Sequence, residues 1–188
     1  MVEVRAVACD ALRWVANSAL DCEGGLAWPE IAASGQPTTD DVYSGTAGVL
    51  LALSEARLSG IDEFDATASL AAGRLLHLAA SPTRLDPAAD PGQPGDSGLY
   101  TGQAGYCFAL RCWAQASGDE HSAAAASELT VRLASWSQIS GADAPYSRYR
   151  DLLLGEAGVL IGLLDEGSAE ANAAAALIAN RLGGCGTP

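Results

Sequence analysis

The sequence predicts an all-α fold made of repeated helical hairpins. Helix formers dominate the 188 residues, aromatic side chains are few, and β-branched alternation is nearly absent. A Gly-x-Ala-Gly phrase also recurs three times, each time at the mouth of an apolar segment: Tyr43-Ser44-Gly45-Thr46-Ala47-Gly48, Tyr100-Thr101-Gly102-Gln103-Ala104-Gly105 and Leu154-Gly155-Glu156-Ala157-Gly158. The first glycines stand 57 and 53 residues apart, the period of a helix pair.

Taken in order, residues 4–20 read as a first helix, with Val4, Val7, Ala8, Leu12, Val15 and Leu20 apolar, stopped by Asp21-Cys22-Glu23-Gly24-Gly25. Residues 24–41 form a long connection carrying Trp28-Pro29. Helix two spans about 44–59; its stretch from Ala47 to Leu53 is apolar on every side, the mark of a fully buried inner helix, and Ser59-Gly60 ends it. Helix three, about 63–80, follows Asp62 as an N-cap and is amphipathic, which suits an outer position. A proline-rich loop from Ser81 to Ser97 links this pair to the next within one domain. Helix four (about 101–116) is again buried in character and breaks at Gly118-Asp119. Helix five (about 119–137) brings Leu129, Val131, Leu133 and Trp136. After a loop from Ser140 to Arg150 come helix six (about 152–165) and the alanine-rich helix seven (about 168–182), which ends at Gly183-Gly184.

Glycine at an inner-helix start lets helices approach closely, because no β-carbon intervenes. Gly45, Gly48, Gly102, Gly105, Gly155 and Gly158 are therefore expected to crowd one rim. A hairpin of this kind buries its face only against neighbours, and three hairpins make at most half of a ring. The open edge predicts self-association, or a partner that supplies the missing half.

Charge and cysteine usage narrow the function. The net charge is −13, and the ten cations, all arginine, are scattered, which argues against nucleic acid. Solubility accounts for the acidic balance; an acidic face would also suit a cationic peptide. Apolar runs break well short of a membrane span, and no secretion signal opens the chain. Cys9, Cys22, Cys107, Cys112 and Cys185 lack CxxC spacing, so reduced thiols in a cytoplasmic protein are expected. Cys107 and Cys112 are separated by about 140° around one helix and are poorly placed to share a metal.

The three glycine phrases, together with Gly25-Leu26-Ala27-Trp28-Pro29, resemble the lanthionine synthetase C-like family. That resemblance implies a double-layered α/α toroid, of which residues 1–188 would be the N-terminal portion: a partial toroid of about three hairpins plus an N-terminal helix. It also implies thioether-peptide (lanthipeptide) modification, in which zinc held by two cysteines and a histidine activates a peptide thiol. The thiol adds to a dehydroalanine or dehydrobutyrine, and the implied partner is a dehydrated precursor peptide. The zinc motif is where the chain departs from the family. It contains no Cys-His pair; His77 falls on an outer helix, His121 in a turn, and Cys185 has no Trp before it and no His after it. No cofactor is expected in this chain, zinc only in a complete family member, and cyclisation is not expected of these 188 residues alone. They read as a truncated product or as a relative without the chemistry.

One catalytic candidate remains, Asp151, which matches an aspartate that the family places toward the zinc cavity as an acid/base. Its plainer reading is the N-cap of helix six. Tyr43 and Tyr100 either line a peptide groove or pack at the rim. Trp14, Trp28, Trp113 and Trp136 read as core or interface anchors. Glu156 faces either the cavity or solvent, and Arg148 and Arg150 either hold an acidic leader or neutralise local acid. Two other function classes remain: a non-catalytic peptide-binding or scaffold module, and an α/α-barrel carbohydrate enzyme, for which Asp41, Asp151 and Glu156 would have to supply paired carboxylates.

Overall fold

In a computed structural model of the protein, residues 2–29, 38–80, 97–139 and 150–184 are described. They form α1 (Val2–Asn17), β1 (Leu20–Cys22), β2 (Gly25–Pro29), β3 (Thr38–Thr39), α2 (Thr46–Leu58), α3 (Asp65–Ala79), α4 (Gln103–Ser117), α5 (Glu120–Ile139), α6 (Glu156–Glu166) and α7 (Ala169–Gly183). The helices of each hairpin pack on each other, as α2 on α3, α4 on α5 and α6 on α7. Successive hairpins then align in two layers, α2–α4–α6 in one and α3–α5–α7 in the other. The predicted alternation of inner and outer helices is this layering.

Between the layers lie Leu50, Leu75, Leu110 and Leu129, with Leu163 and Ile178 continuing the core into the third hairpin; all are fully buried. Each inner helix is followed by a left-handed glycine: Gly60 at φ 78°, Gly118 at φ 77° and Gly167 at φ 76°. This conformation closes the last helical turn and reverses the chain into the outer helix. No atom lies within 4 Å of where a Cβ would stand at any of the three, so only backbone strain opposes substitution. Gly118→Ala is therefore expected to cost about 1–2 kcal/mol in urea unfolding, with Gly118→Asn recovering part of it.

The N-terminal connection differs from the sequence expectation. The first helix ends at Asn17, and a small antiparallel hairpin follows, pairing Leu20 with Ala27 and Cys22 with Gly25. Its turn rests directly on α3: a Cβ at Gly25 would lie 2.0 Å from the Leu70 carbonyl oxygen, and one at Gly73 would lie 2.7 Å from the Gly24 oxygen. Strands this short carry no legible alternation, and packing on α3 sustains them. Trp28 is buried beneath α1 and donates from Nε1 to the Val15 carbonyl at 2.8 Å, tying α1 to β2.

Other expectations need correction. Trp14 is largely exposed and so is not a core anchor, whereas Trp113 is buried with the Arg57 guanidinium over its ring. The Trp136 side chain lies outside the described residues. Phe64, not Asp62, is the N-cap of α3, and Asp62 contributes only its carbonyl, to the Asp65 amide. The inner helix α2 is not buried all round, since Ala52 and Glu55 are exposed.

Candidate functional site

Each inner helix is entered through a turn folded back against its first residues. Gly45, Gly102 and Gly155 are the N-caps, with nearly the same extended backbone (φ −137°, −140° and −112°). Backbone carbonyls cap the helix ends: the Ala47 amide donates to Asp40 O at 3.2 Å and the Ala104 amide to Ser97 O at 3.3 Å. The second glycine of each phrase makes this fold-back fit. A Cβ at Gly48 would stand 2.3 Å from Val42 O, at Gly105 2.3 Å from Leu99 O, and at Gly158 2.4 Å from Leu152 O. The glycines thus admit the preceding turn's carbonyl, rather than a neighbouring helix as the sequence suggested. Helix meets helix at Gly162 instead, where a Cβ would lie 3.4 Å from Ala104 Cβ.

The three turns are joined in series. The Val42 and Tyr43 amides donate to Tyr100 O at 3.0 and 3.1 Å, and the Tyr100 amide donates to Leu153 O at 3.2 Å. Side chains follow the same order. A Cβ at Gly105 would meet Val42 Cγ2 at 2.8 Å, and one at Gly158 would meet Leu99 Cβ at 2.9 Å. The inner-helix starts therefore form one continuous rim, with Tyr43, Tyr100 and Leu153 at equivalent positions along it. Tyr43 is 75% exposed, Tyr100 is half-buried and Leu153 is 47% exposed. Tyr43 is thus not packed at the rim.

Asp151 opens the third turn and is exposed. Its Oδ1 accepts the amides of Leu153 and Leu154, both at 2.8 Å. It caps the turn rather than α6, which begins at Glu156 behind Gly155. Asp41 holds the first turn in the same way, accepting the Ser44 amide at 2.7 Å. The middle turn has Gly98 at this position, because a Cβ there would stand 2.3 Å from Leu153 O.

Behind the rim, an arginine from an outer helix twice reaches an acid at an inner-helix start. Arg74 of α3 grips Asp40 with Nε on Oδ1 at 3.0 Å and an NH2 group on Oδ2 at 2.9 Å, and it also donates to Glu23 O. The hydrogen bonds that Arg74 donates to the Asp40 carboxylate raise the arginine's pKa above its usual value. Thr46 Oγ1 completes the set with a 3.0 Å bond to Asp40. In the third hairpin Arg181 of α7 holds Glu156 at 2.8 and 2.9 Å. Glu156 is buried and so does not face solvent. Sequence reasoning missed Asp40, Arg74 and Arg181. Asp40 sits just ahead of the first phrase, but nothing local signals an arginine 34 residues away.

Of the carboxylates weighed for sugar chemistry, Asp41 and Asp151 belong to the first and third turns with the second between them, and Glu156 is held by Arg181. Arg150 is exposed; Arg148 and Cys185 lie outside the described residues. His77 and His121 neighbour one carboxylate each, Glu23 and Asp119. Cys107 is fully buried against Thr130 Oγ1 (3.0 Å), Ala126 O (3.2 Å) and Arg111 (3.1 Å). Burial raises its thiol pKa and so disfavours the thiolate a metal needs. Among the described residues no three His, Cys, Asp or Glu side chains gather to hold a metal ion. These residues do not fit the family's zinc set.

Stacked hairpins that bury their faces on one another, with a repeated glycine turn at one rim, define an α-helical repeat protein. Residues 36–174 match the family model described as lanthionine synthetase C-like protein, and the chain belongs to that family. The match spans all three glycine turns. No curated protein and no solved structure matches the chain. Among the described residues no helix is long and apolar enough to cross a membrane.

Proposed function

We propose that this protein acts in cytoplasmic thioether-peptide (lanthipeptide) modification, receiving a dehydrated precursor peptide along the rim of glycine turns. The observation that supports this reading is the series of exposed Tyr43, half-buried Tyr100 and exposed Leu153, held in register by hydrogen bonds from turn to turn. Aromatic and apolar side chains at a regular spacing suit an extended peptide, and a rim braced by its own backbone needs little reordering to bind one. In the chemistry served, a peptide cysteine sulfur bonds to the β-carbon of a dehydrated residue and the α-carbon regains a proton, so the mass is unchanged. In this reading Asp151 stands at the rim as the proton-handling group of a complete family member. These residues bind and orient the peptide, and zinc is expected only in a complete member.

The test uses a dehydrated, cysteine-containing peptide and its undehydrated serine/threonine parent. Fluorescence anisotropy is expected to show saturable binding of the dehydrated form. The Tyr43→Ala/Tyr100→Ala double variant should weaken it by about tenfold, roughly 1.4 kcal/mol, without changing the unfolding midpoint by more than a few degrees. Peptide thiol, followed by alkylation and mass spectrometry, should persist on incubation with the chain alone. Equal binding by the double variant, or none by the native protein, would reject the rim as the receiving surface.

A further inference from the structure

We infer that Arg181 and Glu156 are a positioning pair, through which the outer layer sets where the third glycine turn stands on the rim. Glu156 is the first residue of α6, directly behind the N-cap Gly155. Its side chain is only 5% exposed and is held from α7, with Arg181 Nε at 2.9 Å and an NH2 group at 2.8 Å from the same oxygen, Oε1. Two charge-assisted bonds converging on one atom fix the depth of the α6 start. The first hairpin reaches the same arrangement with other residues. Arg74 of α3 grips Asp40, and Thr46, the counterpart of Glu156 at the start of α2, bonds to that carboxylate.

The path from this anchor to the rim is short and has little slack. Asp151 Oδ1 accepts the Leu153 and Leu154 amides, and the Gly158 amide donates to Gly155 O at 3.0 Å, so residues 151–158 form one closed unit. Leu152 O fills the space beside Gly158 that a Cβ would need. A shift at Glu156 therefore carries the turn with it. From there it passes along the rim, because Leu153 O receives the Tyr100 amide and the Thr101 hydroxyl, and Tyr100 O in turn receives the Val42 and Tyr43 amides. A buried ion pair adds little net stability over apolar residues of similar volume, but it accepts few geometries. The worth of this pair is placement: Arg181 acts through Glu156 on the turn that carries Asp151 and Leu153. The coupling stands on these contacts alone, and only its consequence for peptide binding rests on the reading proposed above.

Amide hydrogen exchange of the native protein and three variants tests this. Glu156→Met combined with Arg181→Met removes the pair without stranding a charge, so the urea midpoint should stay close to native. Exchange at the Tyr100, Leu153 and Leu154 amides should nevertheless rise about tenfold, while the Ala47 amide and the interior of α7 keep their native rates. Arg181→Lys retains a cation for Glu156 and should restore most of the protection. Arg181→Gln keeps a donor without the charge; its intermediate rise at the same three amides decides the question if the methionine pair fails to fold. Unchanged turn amides in these variants would overturn the inference. So would a rise spread evenly over all helices, or a lysine variant whose turn is as loose as that of the methionine pair. In the peptide assay, the methionine pair should weaken binding of the dehydrated peptide about fivefold. If the native protein binds no such peptide, the rim reading fails, and the exchange rates still decide whether the outer layer positions the turn.

Discussion

Arg74→Ala is expected to lower the free energy of unfolding by about 3–5 kcal/mol, a large share of what a domain of this size possesses. The substitution removes both hydrogen bonds to Asp40 and the one to Glu23 O. The Asp40 side chain is only 6% exposed, so a carboxylate is left buried with the Thr46 hydroxyl as its remaining side-chain partner. The cost is chiefly that of the stranded charge, more than the worth of the pair itself. Urea denaturation of three variants separates these effects. Arg74→Ala should be the least stable, and Arg74→Met should remain poor because the charge persists. Asp40→Asn combined with Arg74→Met should recover much of the loss. If Arg74→Ala unfolds within about 1 kcal/mol of the native protein, the pair does not brace the first turn, and the link between α3 and the rim is wrong.

The second large effect is expected at Gly158. A Cβ there would lie 2.4 Å from Leu152 O, 2.6 Å from Leu99 N and 2.9 Å from Leu99 Cβ. It collides with its own turn and with the neighbouring one together. Gly48→Ala meets only its own turn, through Val42 O at 2.3 Å and the backbone beside it. Overpacking of this kind costs about 1–3 kcal/mol where one element can shift, and more where two must move together. Gly158→Ala should therefore be clearly more destabilising than Gly48→Ala, at about 3 kcal/mol or above. Amide hydrogen exchange gives an independent readout. The Tyr100 amide, which bonds to Leu153 O, should lose protection in Gly158→Ala and keep it in Gly48→Ala. Equal costs at the two sites would mean that the turns are not coupled along the rim.

Much of the fold was legible because its determinants are local. Helix-forming composition, apolar stretches and a glycine phrase at a fixed period place all six repeat helices within a few residues, and the left-handed glycines after the inner helices mark three sharp reversals. Some local features misled, among them the start of the third hairpin. Asp151 looked like a helix cap but folds a separate turn, and α6 begins four residues past the predicted start. The β1–β2 hairpin was not legible either, because its strands are short and its stability comes from lying on α3.

By itself the sequence determined the helical class, the three-fold repeat, the glycine positions and the family, since each depends on residue type at a spacing within one hairpin. Only the tertiary structure decided which atoms those glycines admit, which carboxylates are buried, and how the turns connect. Gly105 meets a carbonyl six residues back and a valine of the preceding repeat, Asp40 finds its cation on another helix, and Glu156 finds its own on α7. Such partners are chosen by how layers stack and by the cost of leaving a buried charge or carbonyl unpaired. That cost is settled only when distant segments have come together.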